Sequence, residues 1–193
     1  MEILLFVTSC IFLMSAAYFH NRVDSQFNRT TKGILFTASV VYSFMGFLYA
    51  DNPDTVLRAW RYFDWFITVP LLLTELFLFL DKKLRKQSDL IITIGLSIIM
   101  LSFGLLGELK YMDKWIANIM GTIPAVGMFY ILFKKTPMEH LKFLKSVVLL
   151  WLFYPIVFMF NDNNLTIILF SIVDLTVKIG TAFYIKKQEK FFV

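Results

Sequence analysis

Residues 61–76 of this chain read RYFDWFITVPLLLTEL, an apolar segment that nevertheless carries an arginine and two carboxyl groups. In a helix that turns about 100° per residue, Asp64, Thr68 and Glu75 fall within about 60° of Arg61, on one face. The same face carries Trp65 and Leu72. The carboxyl groups of Asp64 and Glu75 then lie about 16 Å apart along the helix axis. Charges gathered on one face of an apolar helix predict that this face points into a helix bundle within a membrane.

The composition of the whole chain agrees with a membrane protein. Of its 193 residues, 58% are hydrophobic and only 17% are charged, whereas soluble domains carry about 25% charged residues. The length leaves no room for a second folded domain, so residues 1–193 are predicted to form a single domain. With one Cys and two His, the chain cannot form an intrachain disulfide, and no metal centre is expected.

Seven segments have the length that a membrane-spanning helix needs, about 20 predominantly apolar residues. The predicted helices cover residues 3–20, 33–50, 56–80, 89–107, 113–134, 141–161 and 163–186. The connections between them are short, so helices that are neighbours in the chain should pack antiparallel. The expected fold is therefore an all-α bundle of seven transmembrane helices.

The distribution of Lys and Arg predicts the orientation of the bundle. The first, third and fifth connections and the C-terminal segment together carry 14 of the 19 basic residues. Because cytoplasmic loops are enriched in Lys and Arg, we expect the N-terminus outside and the C-terminus in the cytoplasm. The start Met1-Glu2 lacks the basic residues of a signal peptide, so the first span is interpreted as a helix. The net charge of +5 then needs no nucleic-acid partner.

The seventh predicted span also carries ionisable residues. Asp174 and Lys178 are four residues apart and therefore lie on the same helix face. A lysine at this depth is either paired with carboxylates or uncharged, and such an amine is suited to forming a Schiff base. A structural network of salt bridges between the third and seventh helices is the alternative. The titratable groups together form a column across the membrane that suits a proton relay or an ion path.

Three motifs resemble the signatures of the microbial rhodopsins. They are RYFDWFITVPLLL (61–73), WLFYP (151–155) and DLTVK (174–178). A fourth stretch, GELKYMDKW (107–115), resembles the corresponding part of proteorhodopsins in particular. The resemblance covers the third to seventh spans, whereas the first two spans resemble the family only in hydropathy.

The resemblance implies a cofactor and assigns roles to the buried charges. Lys178 would bind all-trans retinal as a protonated Schiff base. Asp64 would be its counter-ion and proton acceptor, and Asp174 the second counter-ion. Arg61 would order the external half of the proton path.

The resemblance also implies an activity. Asp64, Thr68 and Glu75 match the Asp-Thr-Glu set of proteorhodopsin-type pumps, in which the carboxyl at the Glu75 position returns a proton from the cytoplasmic side. The chain is therefore expected to be a light-driven outward proton pump in the plasma (inner) membrane, and not an enzyme. The alternatives are a sensory rhodopsin, a light-gated ion channel or a viral-type short rhodopsin with another role, and a structural or transporter bundle without a chromophore.

The remaining expectations concern the pocket, proton release and assembly. Further positions that match retinal contacts are Trp65, Leu72, Met100, Gly104, Trp151, Tyr154 and Pro155, although large apolar residues also fill any bundle core. Glu108 and Asp162 are candidates for the external proton-release group, or are simply solvated loop acids. The family resemblance implies a homo-oligomer, either a trimer or a pentamer.

Overall fold

The computed structural model describes residues 1–20, 26–51, 56–78, 86–160 and 163–189. Every secondary-structure element within these ranges is α-helical. The helices are α1 (Glu2–His20), α2 (Gln26–Asp51), α3 (Val56–Leu78), α4 (Gln87–Glu108), α5 (Lys114–Lys135), α6 (Met138–Trp151), α7 (Phe153–Phe158) and α8 (Asn163–Glu189). Only Leu152 separates α6 from α7, so these two helices form one span. The described part of the chain therefore makes seven spans, as predicted.

The distribution of apolar and charged side chains is that of a multi-pass integral membrane protein. Among the described residues, every span except α3 is long and apolar enough to cross a membrane, and α3 packs between α2 and α4. Large apolar side chains face outward, such as Ile3, Phe47 and Ile123, which are 79%, 67% and 63% exposed. Charged side chains in the interior of α3 and α8 are buried instead, namely those of Arg61, Asp64, Glu75, Asp174 and Lys178. An apolar exterior around a polar interior is stable only in lipid.

Two helices start three or more residues before the positions predicted from hydropathy. α2 begins at Gln26, not at residue 33, and the sixth span begins at Met138, not at 141. The early turns of α2 carry Asn28 and Thr31, which are buried in the bundle. A scan for apolar runs misses such polar turns because their environment is set by other helices. The predicted helix ends at 80 and 161 lie outside the described residues.

The break in the sixth span follows from a proline. Pro155 has no backbone N–H, so the carbonyl of Trp151 lacks its usual donor four residues later, and α6 ends at Trp151. Leu152 keeps nearly helical angles, with φ −65° and ψ −17°. The Asn118 side chain of α5 donates a hydrogen bond of 3.2 Å to the carbonyl of Pro155. The irregular backbone is therefore tied to a neighbouring helix, as it has to be within a membrane.

The bundle closes because the last helix packs against the first ones. α8 contacts α1 and α2 as well as α6 and α7. α1 and α2 are joined at membrane depth by hydroxyl groups: Ser9 donates to the carbonyl of Ser39 at 2.8 Å and lies 2.7 Å from the Ser43 hydroxyl. This closure brings α2, α3 and α8 together around the polar centre of the bundle.

Candidate functional site

The site is centred on the amine of Lys178, which projects from α8 and is only 5% exposed. Its Nζ forms a salt bridge and hydrogen bond with Oδ2 of Asp64 on α3. The same atom lies 3.8 Å from Oδ2 of Asp174, one turn earlier on α8. The amine is therefore shared between two buried carboxylates and joins α3 to α8. Both interpretations of the sequence, the Schiff-base lysine and the structural ion pair, require this contact.

The two carboxylates differ in how they are held. Asp174 accepts hydrogen bonds from Tyr42 Oη at 2.7 Å and from Tyr154 Oη at 2.5 Å. The Nε1 of Trp65 lies 3.2 Å from both of its oxygens. Asp64, in contrast, has one buried oxygen, Oδ1, without a hydrogen-bond partner among the described residues. Fixed donors stabilise the charge on Asp174, whereas Asp64 keeps an oxygen that can take a proton.

Two further residues of α3 border Asp64. Arg61 is 2% exposed, and its guanidinium carbon lies 4.5 Å from the centre of the Phe170 ring. Its Nε and Nη2 atoms have no hydrogen-bond partner within the described ranges. Thr68 donates at 3.0 Å to the backbone carbonyl of Asp64, so its hydroxyl holds the helix turn and not the carboxylate.

Glu75 lies in the other half of the bundle and has a partner on α2. It is 1% exposed, and Thr31 donates a 2.5 Å hydrogen bond to its Oε1. Thr31 and Tyr42 are separated on α2 by the same 11 residues as Asp64 and Glu75 on α3. The antiparallel α2 thus supplies one hydroxyl at each of two levels about 16 Å apart.

Sequence reasoning missed both Thr31 and Tyr42. The signal was present, because two hydroxyl-bearing residues share one face of an otherwise apolar span at the spacing seen on α3. The missing information was which helix α2 faces.

A cavity of about 170 Å³ opens beside Lys178 and Asp174. All seven predicted contact positions line it, namely Trp65, Leu72, Met100, Gly104, Trp151, Tyr154 and Pro155. None of the predicted contact positions lies on α5, yet this helix forms one wall with Asn118, Gly121, Ala125 and Phe129. The first three of these residues follow the spacing of one helix face, which is the signal that could have identified them.

The residues present fit the retinal that the resemblance implies. Aromatic rings form much of the cavity wall: Trp65 is perpendicular to Tyr154, with ring centres 5.2 Å apart, and Phe129 packs against Trp151 at 5.6 Å. An apolar slot with aromatic walls suits a rigid polyene. Among the described residues, Lys178 supplies the one amine that lines the cavity. The carboxylates of Asp64 and Asp174 supply the counter-charge for a cation on this amine.

Comparison with known proteins identifies the family. The family model for bacteriorhodopsin-like proteins matches residues 1–187. The chain belongs to the microbial rhodopsins. The match includes the first two spans of this rhodopsin, which contain none of the family motifs recognised in the sequence.

Relatives and solved structures agree with this assignment. A green-light absorbing proteorhodopsin from the Gamma-proteobacterium EBAC31A08 is 35% identical over 91 residues, which are 46% of this rhodopsin and 36% of that protein. The viral rhodopsin OLPVRII superposes with a TM-score of 0.85 at 20% identity, covering 100% of this chain and 98% of that one. The proton pumping rhodopsin AR2 from the marine alga Acetabularia acetabulum gives 0.83 at 24% identity, covering 99% and 95%. At these identities the two structures establish the fold.

Of the two candidates for the proton-release group, only Glu108 lies within the described residues of this rhodopsin. Glu108 is the last residue of α4 and is only 6% exposed, so it is not a solvated loop acid. It lines a second, more polar cavity together with Lys110, Asp113 and Lys114. Asp162 lies outside the described residues.

Proposed function

We propose that this rhodopsin is a light-driven outward proton pump that carries all-trans retinal on Lys178. The observation that carries the proposal is the buried amine of Lys178 paired with Asp64, with a second buried carboxyl, Glu75, on the same face of α3. The family consists of light-driven transporters and photoreceptors, and its members bind retinal through a lysine. An acceptor and a donor on opposite sides of one amine are what proton transfer in one direction needs.

Asp64 is proposed to be the proton acceptor. Bound retinal supplies light absorption and a change of shape at the end of the Lys178 side chain. Displacement of the protonated Lys178 nitrogen from Asp64 weakens their ion pair. The proton then moves from the nitrogen to the Asp64 carboxylate, which leaves both groups uncharged. Asp174 stays anionic because three donors hold its oxygens, whereas Oδ1 of Asp64 has no such donor among the described residues.

Glu75 is proposed to be the proton donor. A carboxylate without a paired cation is costly inside a membrane, so Glu75 rests protonated, with Thr31 as its hydrogen-bond partner. It can therefore return a proton to the Lys178 nitrogen. Arg61 lies one turn from Asp64 on the side away from Glu75, and its positive charge stabilises the Asp64 carboxylate and so favours loss of the proton after Asp64 has accepted it. With the orientation expected from the basic loops, this transport is outward.

The first test is the light-induced pH change in an unbuffered suspension of cells that express the protein with added retinal. We expect external acidification that a protonophore abolishes, as well as coloured membranes. Lys178→Ala should abolish the colour, and Asp64→Asn should abolish acidification. Glu75→Gln should slow the return of the proton to Lys178 by about 100-fold or more, the size of a lost acid–base catalyst.

Other outcomes would reject the pump. Coloured membranes without a pH change would indicate a sensory rhodopsin, and photocurrents that reverse sign with voltage would indicate a channel.

Proton export also requires that the protein reside in the plasma (inner) membrane. We propose that it assembles there as a trimer or pentamer. Cross-linking in native membranes followed by mass determination distinguishes these two assemblies from a monomer.

A further inference from the structure

Thr181 on α8 is a buried hydroxyl for which the mechanism above has no use. The residue is 2% exposed, and its Oγ1 has no hydrogen-bond partner in the part of the chain that the structure describes. Other hydroxyls on this helix bond to the carbonyl one turn earlier, as Ser171 does with Ile167 and Thr176 with Ile172, both at 2.8 Å. Thr181 lacks the equivalent bond, although the geometry of a helix makes it available to any threonine.

The position of Thr181 relates it to the proton path. Seven residues separate it from Asp174, so the two side chains differ in direction by about 20°. Asp64 and Glu75 on α3 likewise differ by about 20°. Because Asp64 and Asp174 both contact Lys178, Thr181 and Glu75 face the same central region of the bundle.

Thr181 lies between Lys178 and Glu75 in depth. α3 and α8 are the third and seventh spans and therefore run in the same direction. Along their axes, Thr181 lies about 10 Å beyond the level of the two aspartates, and Glu75 lies about 16 Å beyond it. Apolar side chains occupy the neighbouring turns of both helices, where Leu72 and Leu76 of α3 and Val177 of α8 belong to one buried cluster.

Proton transfer needs donor and acceptor within about 3 Å of each other, or a bridging water. The interval between Glu75 and Lys178 is too long for direct contact, and a buried water needs two to four polar partners. A threonine hydroxyl can donate one hydrogen bond and accept others. We propose that the hydroxyl of Thr181 anchors a chain of water molecules that links the Glu75 carboxyl to the Lys178 nitrogen. This inference rests on the proposed pump function and adds a positioning residue to it.

This step neither creates nor consumes protons. Glu75 loses one proton and becomes a carboxylate, and the Lys178 nitrogen gains one proton. The first water of the chain accepts a proton from Glu75, each water passes one of its own protons to the next, and the last gives one to Lys178, so the composition of every water is unchanged. Thr181 holds the chain in place through a hydrogen bond and undergoes no net change.

The competing explanation is that Thr181 only fills space. Thr181→Val keeps the shape and removes the hydroxyl, and burying a methyl group in place of an unpaired hydroxyl stabilises a protein. Without retinal, a space-filling role therefore predicts that Thr181→Val raises the unfolding temperature. A hydroxyl that binds water predicts a lowered unfolding temperature for Thr181→Val instead.

The decisive experiment is infrared difference spectroscopy of the retinal-loaded protein in normal water and in water labelled with oxygen-18. We expect an isotope-sensitive O–H stretching band in the wild type that is lost in Thr181→Val and restored in Thr181→Ser. Thr176→Val is the matched control, because this exposed threonine of α8 bonds its own helix backbone, and it should keep the band. Return of the proton to Lys178 should slow about tenfold or more in Thr181→Val only.

The outcomes separate this inference from the pump itself. A wild type that pumps, together with a Thr181→Val variant that keeps both the band and the rate, would overturn the role of Thr181 and leave the pump intact. A wild type that does not acidify the medium would overturn the pump, whereas loss of the band in Thr181→Val would still establish the water site. Thr181→Ala replaces the valine variant if the latter fails to fold, with the same expected loss.

Discussion

Asp174 shows how a single buried charge is held. Its carboxylate accepts hydrogen bonds from the side chains of three residues on three different helices, Tyr42 on α2, Trp65 on α3 and Tyr154 on α7. Hydrogen bonds to a charged group contribute about 1.5–3 kcal/mol each. These donors therefore fix Asp174 as an anion and also tie three helices to α8.

Removal of one donor tests this account. We expect Tyr42→Phe to lower the free energy of unfolding by about 1.5–3 kcal/mol, because a buried carboxylate oxygen loses its partner. Tyr49→Phe is the matched control on the same helix, where the lost bond is an exposed one to Asn164, and it should cost less than about 1 kcal/mol. Unfolding of both variants in mixed micelles of increasing denaturing detergent gives the comparison. Equal stability of the two variants would contradict the role of Tyr42.

At the scale of one element, two of the three glycines of α4 lie in contrasting environments. A Cβ on Gly104 would lie 2.6 Å from Tyr62 Oη and 2.9 Å from its Cε1, whereas a Cβ on Gly95 would meet no atom within 4 Å. Gly104 therefore provides the space for a ring that lines the cavity, in addition to being a cavity residue itself. Gly95 has no such role in the helix.

Alanine at these two positions should have opposite effects. We expect Gly95→Ala to stabilise the protein by about 0.5–1 kcal/mol, the gain of replacing glycine within a helix. Gly104→Ala should not increase the stability in this way, because the added Cβ displaces Tyr62 into the cavity. The displaced ring should also slow the uptake of retinal. Thermal unfolding and the rate of colour development after retinal addition measure the two effects. Normal uptake by Gly104→Ala would show that Tyr62 moves without narrowing the cavity.

At the scale of the whole molecule, the connections at the two ends of α5 belong to opposite membrane faces. α5 has 22 residues and is thus about 33 Å long, enough to cross the hydrocarbon core. Tyr111 lies before this helix and Met138 after it, and they are 79% and 82% exposed. They are therefore suitable positions for reporting the orientation.

The orientation can be measured by labelling single cysteines. In a Cys10→Ser background, we expect Tyr111→Cys to react with a membrane-impermeant maleimide on intact cells. Met138→Cys should react only after the cells are permeabilised, because the Lys-rich connection should lie in the cytoplasm. The opposite pattern would reverse the predicted orientation, and with it the direction of the proposed transport.

The sequence by itself determined the number of spans, the helices that carry charge and the lysine at the centre of the site. These features are local: span length follows from a run of apolar residues, and the common face of Asp64 and Glu75 follows from helix periodicity. The motifs around Asp64 and Lys178 were also sufficient to identify the family. The polar first turns of α2 were beyond this reasoning, since their burial depends on neighbouring helices.

Only the tertiary structure decided which groups meet. Lys178 is four residues from Asp174, yet its closer partner is Asp64, more than a hundred residues away on α3. The family resemblance implied this pairing, whereas the helix periodicity of the chain did not. The hydroxyls of Thr31 and Tyr42 reach their carboxyl groups because of the rotation and depth at which α2 packs against its neighbours. Rotation and depth arise from contacts between helices distant in the chain, and the periodicity of a single helix contains no information about them.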